Sequence, residues 1–209
     1  GGPTHDAPQN GYLNRSRVSL DYIPRDNNHP YRPAIIFRMA EAYLSYAEAL
    51  NESSERMSHK QEILDNLNKI RHRAGIAEYG TGTDENGFTR IKINFSDQKE
   101  VRRLIHKERR VEFVGEGVRY HDLRRWKTAH YGIGNLNEQG ENPDWGVNGP
   151  DYGMNYYGTE YTDQGDNAFF KRTKYMDRVY PRKFYWYPIH QSEIDKDPTL
   201  VQGPFWLGE

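Results

Sequence analysis

The feature that most constrains the fold of this chain is an apolar helical stripe that continues into carboxylates. Val101, Leu104 and Ile105 recur at steps of three and four residues, which is typical of the buried face of a helix. Continuing the same face leads to Glu108 and Glu112. A buried carboxylate persists only when it is paired and hydrogen-bonded, because an unpaired charge in the interior is strongly destabilising. The sequence therefore predicts two inward-facing carboxylates held by neighbouring cations.

Candidate partners for these carboxylates lie within the stretch HKERRVEFVGEGVRYHDLRRWK, residues 106–127. Arginine suits this role because its planar guanidinium can bind a carboxylate at two points. The interpretation we favour is a structural charge network that ties a long helix to the short helix after it, rather than a functional site. The expected arginines are Arg109, Arg119, Arg124 or Arg125.

The same stretch could instead bind nucleic acid. Arg124, Arg125 and Lys127 surround Trp126, and such a group could meet phosphates and stack on bases. However, several Asp and Glu residues lie close by, and the formal net charge of the whole chain is −1. A chain with this balance has no overall electrostatic attraction to nucleic acid or to an anionic membrane surface. We therefore expect no nucleic acid partner.

Catalysis is a second alternative for this stretch. His106 with Glu108, or His121 with Asp122, could form acid–base pairs. The chain has no cysteine, which excludes disulfides, thiolate zinc sites and a cysteine nucleophile. It also has no serine nucleophile motif, HExxH metal motif or glycine-rich phosphate loop. The sequence therefore predicts a protein that is not an enzyme, with no cofactor and no metal site.

The length of 209 residues allows one large domain or two small ones, and we expect a single domain, 1–209. Its expected parts are a helical hairpin at 33–75, two further helices at 96–127, a long loop excursion rich in Gly, Asn, Asp and Tyr at 128–180, and a C-terminal cap at 181–209.

Several helix ends can be predicted from local chemistry. Pro33 is expected to be the first helical residue, Ser58 and Gln61 to form a capping box, and Gly75 to end the hairpin. Ser96 or Asp97 is expected to begin the third helix. The piece TDENG before it is expected to be a turn, because a calcium loop aligned on its glycine lacks two key carboxylates.

Four blocks of the chain, in this order, are FRMAEAYLSYAEALNE, NKIRHRAG, HKERRVEFVGEGVRYHDLRRW and YPIHQSEIDKDPTLVQGPFW. They resemble motifs that occur in the same order in the SusD/RagB family of outer-membrane nutrient-binding lipoproteins. Three departures lie in the last block: His190 replaces a usual Pro, Asp197 replaces a usual Asn, and the usual Gln-Asn-Pro-Gly is here Gln202-Gly203-Pro204-Phe205.

The resemblance implies a mainly α fold with tetratricopeptide-like helix pairs, further helices and long irregular loops. It also implies a Bacteroidetes-type surface protein that is lipid-anchored to the outer membrane, faces outward and covers a SusC-like TonB-dependent transporter. Such proteins present glycans, or in some cases peptides, for import, and they have no catalytic residues. This chain is expected to be the C-terminal part of one, without the lipid anchor. A helical-repeat module that binds proteins or peptides, and a glycoside hydrolase, remain alternatives.

The loop at 142–161 is the predicted glycan-binding segment. Proteins bind sugars largely by stacking aromatic rings on the apolar face of the pyranose, while polar side chains bond to its hydroxyls. The alternative is that these aromatic rings only pin a long loop to the helices. The candidate residues are Trp145, Asn148, Asp151, Tyr152, Asn155, Tyr156, Tyr157 and Tyr161.

Overall fold

The computed structural model describes residues 35–132, 146–155 and 171–207, with the isolated positions 19, 21, 31, 159, 165, 168 and 169. This described part is mainly α-helical with a two-stranded sheet, which confirms the predicted fold class. The helices are α1 (Met39–Glu52), α2 (Lys60–Ala74), α3 (Gln98–Glu112), α4 (Val118–Arg125) and α5 (Gln191–Lys196), and the strands are β1 (Gly149–Met154) and β2 (Arg172–Arg178).

The chain divides into two compact units, which are described separately. The first unit is Arg15–Arg119, and the second combines Gly1–Asn14 with Tyr120–Glu209. The division falls inside α4, in a part of the chain that the sequence assigns to a single domain.

Helices α1, α2 and α3 enclose the core of the first unit. Leu44 from α1, Ile63 and Leu67 from α2, and Val101 and Ile105 from α3 are fully buried. Burying an aliphatic side chain of this size stabilises the fold by about 1.5–3 kcal/mol relative to leaving it in water. The apolar stripe of α3 is therefore its core face.

Two of the predicted helix starts are wrong. Residues 35–38 are not helical, so α1 begins at Met39 and not at Pro33. Arg38 stays extended because its guanidinium binds carboxylates that follow much later in the chain. The residue before α2 is His59, which makes no side-chain capping bond, so the expected capping box at Ser58 does not form.

Other ends follow local chemistry. The carboxylate of Asp97 accepts hydrogen bonds from the backbone N–H groups of Lys99 and Glu100, and caps the start of α3 as predicted. Gly75 ends α2 in the left-handed conformation, with φ 67°. The N–H of Gly75 donates to His72 O at 3.0 Å and that of Ile76 to Arg71 O at 3.1 Å, which is the Schellman arrangement.

Asp84 organises the connector between α2 and α3. Its carboxylate accepts hydrogen bonds from the backbone N–H groups of Glu78 at 3.1 Å, Asn86 at 3.0 Å and Phe88 at 2.9 Å. Burial acts to raise the pKa of this carboxyl, but the three donors outweigh burial and hold it below its ordinary value of 3.8. The TDENG piece is therefore a turn held by its own aspartate.

A β-hairpin is the feature of the second unit that the sequence did not predict. Strands β1 and β2 pair antiparallel, with Gly149 opposite Arg178 and a register shift between Asp151 and Tyr152. The sequence of β1, GPDYGM, has a proline and two glycines and therefore little intrinsic strand preference. Long-range pairing with β2, rather than local propensity, makes it a strand.

A small apolar cluster lies in the second unit. Leu123, Ala129 and Tyr180 are buried there, and Val147 and Tyr185 pack against them. Among the described helices of the chain, none has the length and apolar composition needed to cross a bilayer.

Candidate functional site

The carboxylate of Glu108 lies in the interior of the first unit, with 5% of the residue exposed. It accepts hydrogen bonds from Arg71 Nη1 at 2.6 Å and from the Tyr79 hydroxyl at 2.8 Å. The Arg71 guanidinium also lies 4.3 Å from the centre of the Tyr79 ring. Burial, and then the Glu108 carboxylate, raise the pKa of the Tyr79 hydroxyl, so the hydroxyl remains protonated and donates.

Glu112 is bound by arginines from both ends of the α1–α2 helix pair. Arg38 Nη1, just before α1, and Arg73 Nη2, in the last turn of α2, both donate to its Oε1. Arg38 also binds Glu116 at two points, at 2.9 and 2.8 Å, and its guanidinium lies 4.6 Å from the centre of the Phe113 ring. These contacts join α1, α2 and the end of α3.

The arginines that hold these two carboxylates therefore differ from the predicted ones. Arg109 instead donates to Ser45 Oγ at 3.0 Å, and its Nε lies 3.9 Å from Glu48. Arg119 is half-buried in α4. The network links α3 to the α1–α2 helix pair that precedes it. Sequence analysis had predicted a link to the short helix that follows α3.

Arg124 and Arg125 belong to the second unit. Arg124 donates to the Tyr120 hydroxyl at 2.6 Å and to the carbonyls of Phe184 at 2.7 Å and Tyr185 at 2.6 Å. Arg125 donates to Asp122 at 3.0 Å. Arg124 thus fixes the end of α4 against the short 3-10 helix Arg182–Tyr185.

Of the predicted glycan-binding residues, Asn148 has a structural role. Its amide nitrogen donates to the carbonyls of His130 at 2.6 Å and Tyr180 at 3.3 Å, and its oxygen accepts from the Tyr180 N–H. The Asn155 amide donates to Ala168 O at 3.2 Å. Both amides are therefore engaged by the backbone.

Asp151 and Tyr152 lie on the β-hairpin. Asp151 accepts a hydrogen bond from the Tyr175 hydroxyl at 3.0 Å, and Arg178 Nε lies 3.7 Å from it. The Tyr152 ring is 38% exposed, but the Arg172 guanidinium lies over it at 4.1 Å from its centre. The other candidates, Trp145, Tyr156, Tyr157 and Tyr161, lie outside the described residues.

A pocket of about 560 Å³ in the second unit combines aromatic rings with cations. We call it the basic aromatic pocket. The end of α4, the segment after it, the 3-10 helix and the C-terminal segment form its walls. The described rings that line it are Trp126, Tyr131, Tyr185, Trp186 and Phe205. The described cations that line it are Arg124, Arg125, Lys127 and Arg182, and His130 also contributes.

Hydrogen bonds fix the inner wall of the pocket. The Tyr185 hydroxyl accepts from the His130 N–H at 3.3 Å and lies 2.9 Å from His130 Nδ1. Burial raises the pKa of the Tyr185 hydroxyl above its ordinary value of 10.0, so it is a neutral group near pH 7. Trp186, which is 45% exposed, packs against the Phe205 ring at a centroid distance of 5.8 Å.

The backbone is strained at two points in this pocket. Lys127 has φ 56° and Phe205 has φ 65°, and they are the non-glycine residues with positive φ in the described part of the chain. Lys127 N–H donates to Arg124 O at 3.1 Å and Thr128 N–H to Leu123 O at 3.0 Å, so α4 ends in the arrangement that ends α2 at a glycine. A left-handed conformation costs a residue with a side chain roughly 1–2 kcal/mol. Such strain often accompanies functional sites.

Comparison with known proteins shows the family of the chain. The family model described as the SusD family matches residues 2–206. The chain belongs to the SusD family. It is 32% identical over 109 residues to SusD-like protein P25 of Formosa agariphila, covering 52% of this chain and 18% of that protein. It is likewise 32% identical over 103 residues to SusD-like protein P38 of the same organism, covering 49% and 19%.

Solved structures from the SusD family have a similar fold. A SusD-like protein of Bacteroides fragilis, BF3747, has a TM-score of 0.54 and 27% identity, over 82% of this chain and 26% of that one. The structure of BT4246 has a TM-score of 0.54 and 28% identity, over 85% of this chain and 25% of that one. The chain therefore spans about a fifth of the length of these curated relatives and about a quarter of these solved structures.

Sequence reasoning missed the basic aromatic pocket of this SusD family chain. It assigned Arg124 and Arg125 to a structural network, and it placed the sugar-binding rings at 142–161. The available signal was the pair Trp126–Lys127 together with the aromatic run at 184–187, FYWY. What the sequence could not show is that these two distant segments line one pocket.

Within the described residues, no cluster of His, Asp and Glu is arranged to hold a metal ion.

Proposed function

We propose that this protein binds glycans at the cell surface for nutrient uptake and does not act on them chemically. Membership of the SusD family carries the proposal, because the family is involved in glycan binding and uptake and its members are generally non-catalytic. In the complete protein, a lipid anchor would hold it on the outer face of the outer membrane. A SusC-like TonB-dependent transporter would receive the glycan.

The basic aromatic pocket is the part of the described chain best suited to hold a sugar. Exposed Trp and Tyr rings can stack on the apolar face of a pyranose while nearby donors bond to its hydroxyls. Trp186 and Phe205 supply exposed rings there, with exposed fractions of 45% and 40%. The loop at 142–161 could contribute further rings, and Tyr152 is its most exposed candidate among the described residues.

A glycan array with the protein as it is encoded in full tests this function. We expect binding of one group of related glycans, and chromatography of the bound glycan after incubation should show no cleavage. Trp145→Ala and Tyr157→Ala then test the loop, each with an unchanged thermal melt as control. Cleavage products would indicate a hydrolase, and a blank array together with peptide binding would indicate a peptide-binding module.

A further inference from the structure

We propose that the basic aromatic pocket selects sugars that carry a negative charge, as a carboxylate or a sulfate ester. The inference rests on the proposed glycan-binding function and names the ligand class of its site. Its starting point is the chemistry of the described lining, which contains four Arg and Lys side chains and no Asp or Glu. Arg and Lys side chains donate hydrogen bonds and cannot accept them.

A neutral sugar finds few acceptors in such a lining, because the Tyr185 hydroxyl is already bonded to His130 and the described lining has no carboxylate or side-chain amide. Its hydroxyl groups both donate and accept, so a neutral-sugar site needs acceptors such as carboxylates or amide oxygens beside its donors. A carboxylate or sulfate oxygen only accepts, and charge-assisted bonds to Arg or Lys are the strong kind. The aromatic rings would then hold the ring of the sugar while the cations hold its anionic group.

Arg124 and Arg125 bond to other groups of the second unit. Arg124 directs its guanidinium to two backbone carbonyls and to the Tyr120 hydroxyl, and Arg125 shares its charge with Asp122. Arg124, whose partners are neutral, raises the positive potential of the pocket, whereas the charge of Arg125 is offset by Asp122. We assign Lys127 and Arg182 to direct contact with the ligand because they reach the pocket from two distant segments of the chain. Within the described part of the chain, the Lys127 side chain has no hydrogen bond or ion pair, whereas its backbone N–H bonds to Arg124 O.

The position of Lys127 supports this assignment. It occupies a left-handed site at the end of α4, where a glycine would be free of strain, as Gly75 is at the end of α2. A cation is favourable near a helix C-terminus, which accounts for the charge of Lys127 but not for its strained conformation. The helix C-terminus also does not explain the presence of Arg182, which comes from a distant segment and lines the same pocket as Lys127.

Titration calorimetry with the full protein tests the proposal. The probes are tetragalacturonate, its methyl ester, a sulfated galactan tetrasaccharide and a neutral galactan tetrasaccharide. We expect one or both anionic probes to bind, and we expect methyl esterification or added salt to weaken binding. Lys127→Met and Arg182→Gln should each weaken anionic binding about fivefold or more. Lys107→Met is the matched control, because Lys107 is exposed on α3 in the other unit and should leave binding unchanged.

Each result decides between distinct conclusions. Equal affinity for the neutral and anionic tetrasaccharides, with no effect of Lys127→Met, would overturn the charge selection while leaving glycan binding intact. Equal binding of poly-glutamate and of the anionic sugars would overturn it as non-specific attraction to polyanions. Failure of every probe, and of the wider glycan array, would overturn the proposed function and this inference together. A thermal melt of each variant within about 2 °C of the wild type excludes misfolding as the cause of lost binding.

Discussion

Replacing Glu108 by alanine should lower the free energy of unfolding of the first unit by about 3–5 kcal/mol, since it breaks a buried ion pair. Glu108 is 5% exposed, and its carboxylate accepts hydrogen bonds from Arg71 and Tyr79. Arg71 is itself 8% exposed. When the Glu108 carboxylate is removed, the hydrogen-bonding partner that remains to the Arg71 guanidinium in the described chain is the Ala77 carbonyl. For a unit of about 100 residues each kcal/mol shifts Tm by about 4–8 °C, so the expected loss is about 12–40 °C.

Urea denaturation and thermal melts followed by circular dichroism measure this loss. The double variant Glu108→Leu, Arg71→Met should recover most of the stability, because well-packed apolar residues can replace a buried ion pair at little cost. Glu85→Ala is the control, since Glu85 is an exposed carboxylate in the connector after α2 and its loss should change the melt little. A Glu108→Ala melt within about 2 °C of the wild type would refute the buried network, because it would mean that water already solvates the carboxylate.

Two further predictions concern strain and acid stability. Lys127→Gly should raise the free energy of unfolding by about 1 kcal/mol by relieving the left-handed conformation, and Gly75→Lys should lower it by a similar amount; urea denaturation measures both. A destabilised Lys127→Gly would contradict the strain. The pKa of Asp84 is lowered in the fold, so its stabilising effect is complete above pH 3.8 and disappears as the pH falls through the folded pKa. The Tm advantage of wild type over Asp84→Asn should therefore shrink in acid, whereas a constant difference would contradict this role.

Local sequence signals predicted much of the first unit but not its pairings. Asp97 and Gly75 mark helix ends because their effects act over one turn of the chain. The start of α1 depends on Arg38 reaching Glu112 and Glu116, which follow more than 70 residues later. The sequence can show that a carboxylate faces inward, but it cannot show which of several arginines the tertiary packing brings to it.

The candidate site was harder to predict because no single segment contains it. Trp126 and Lys127 follow α4, whereas Trp186 and Phe205 come from the C-terminal segment. The β-hairpin was missed for a similar physical reason, since pairing with β2 overrides the weak strand preference of β1. The loop at 142–161 has the right composition for sugar binding, but in the structure Asn148 holds backbone groups together. Composition alone does not separate these two roles.

The central claim is that glycan binds in the basic aromatic pocket. The most direct test is to measure glycan affinity by calorimetry for alanine variants of two neighbouring aromatic residues. Trp186 lines the pocket, whereas Phe184 lies in the 3-10 helix that ends just before Trp186, is similarly exposed and packs against Trp206 at a centroid distance of 6.2 Å. With the glycan identified by the array, Trp186→Ala should weaken binding by about 1 kcal/mol, or about fivefold. Phe184→Ala should bind like the wild type. Wild-type affinity in Trp186→Ala, with its melt unchanged, would contradict the claim and move the binding site out of this pocket.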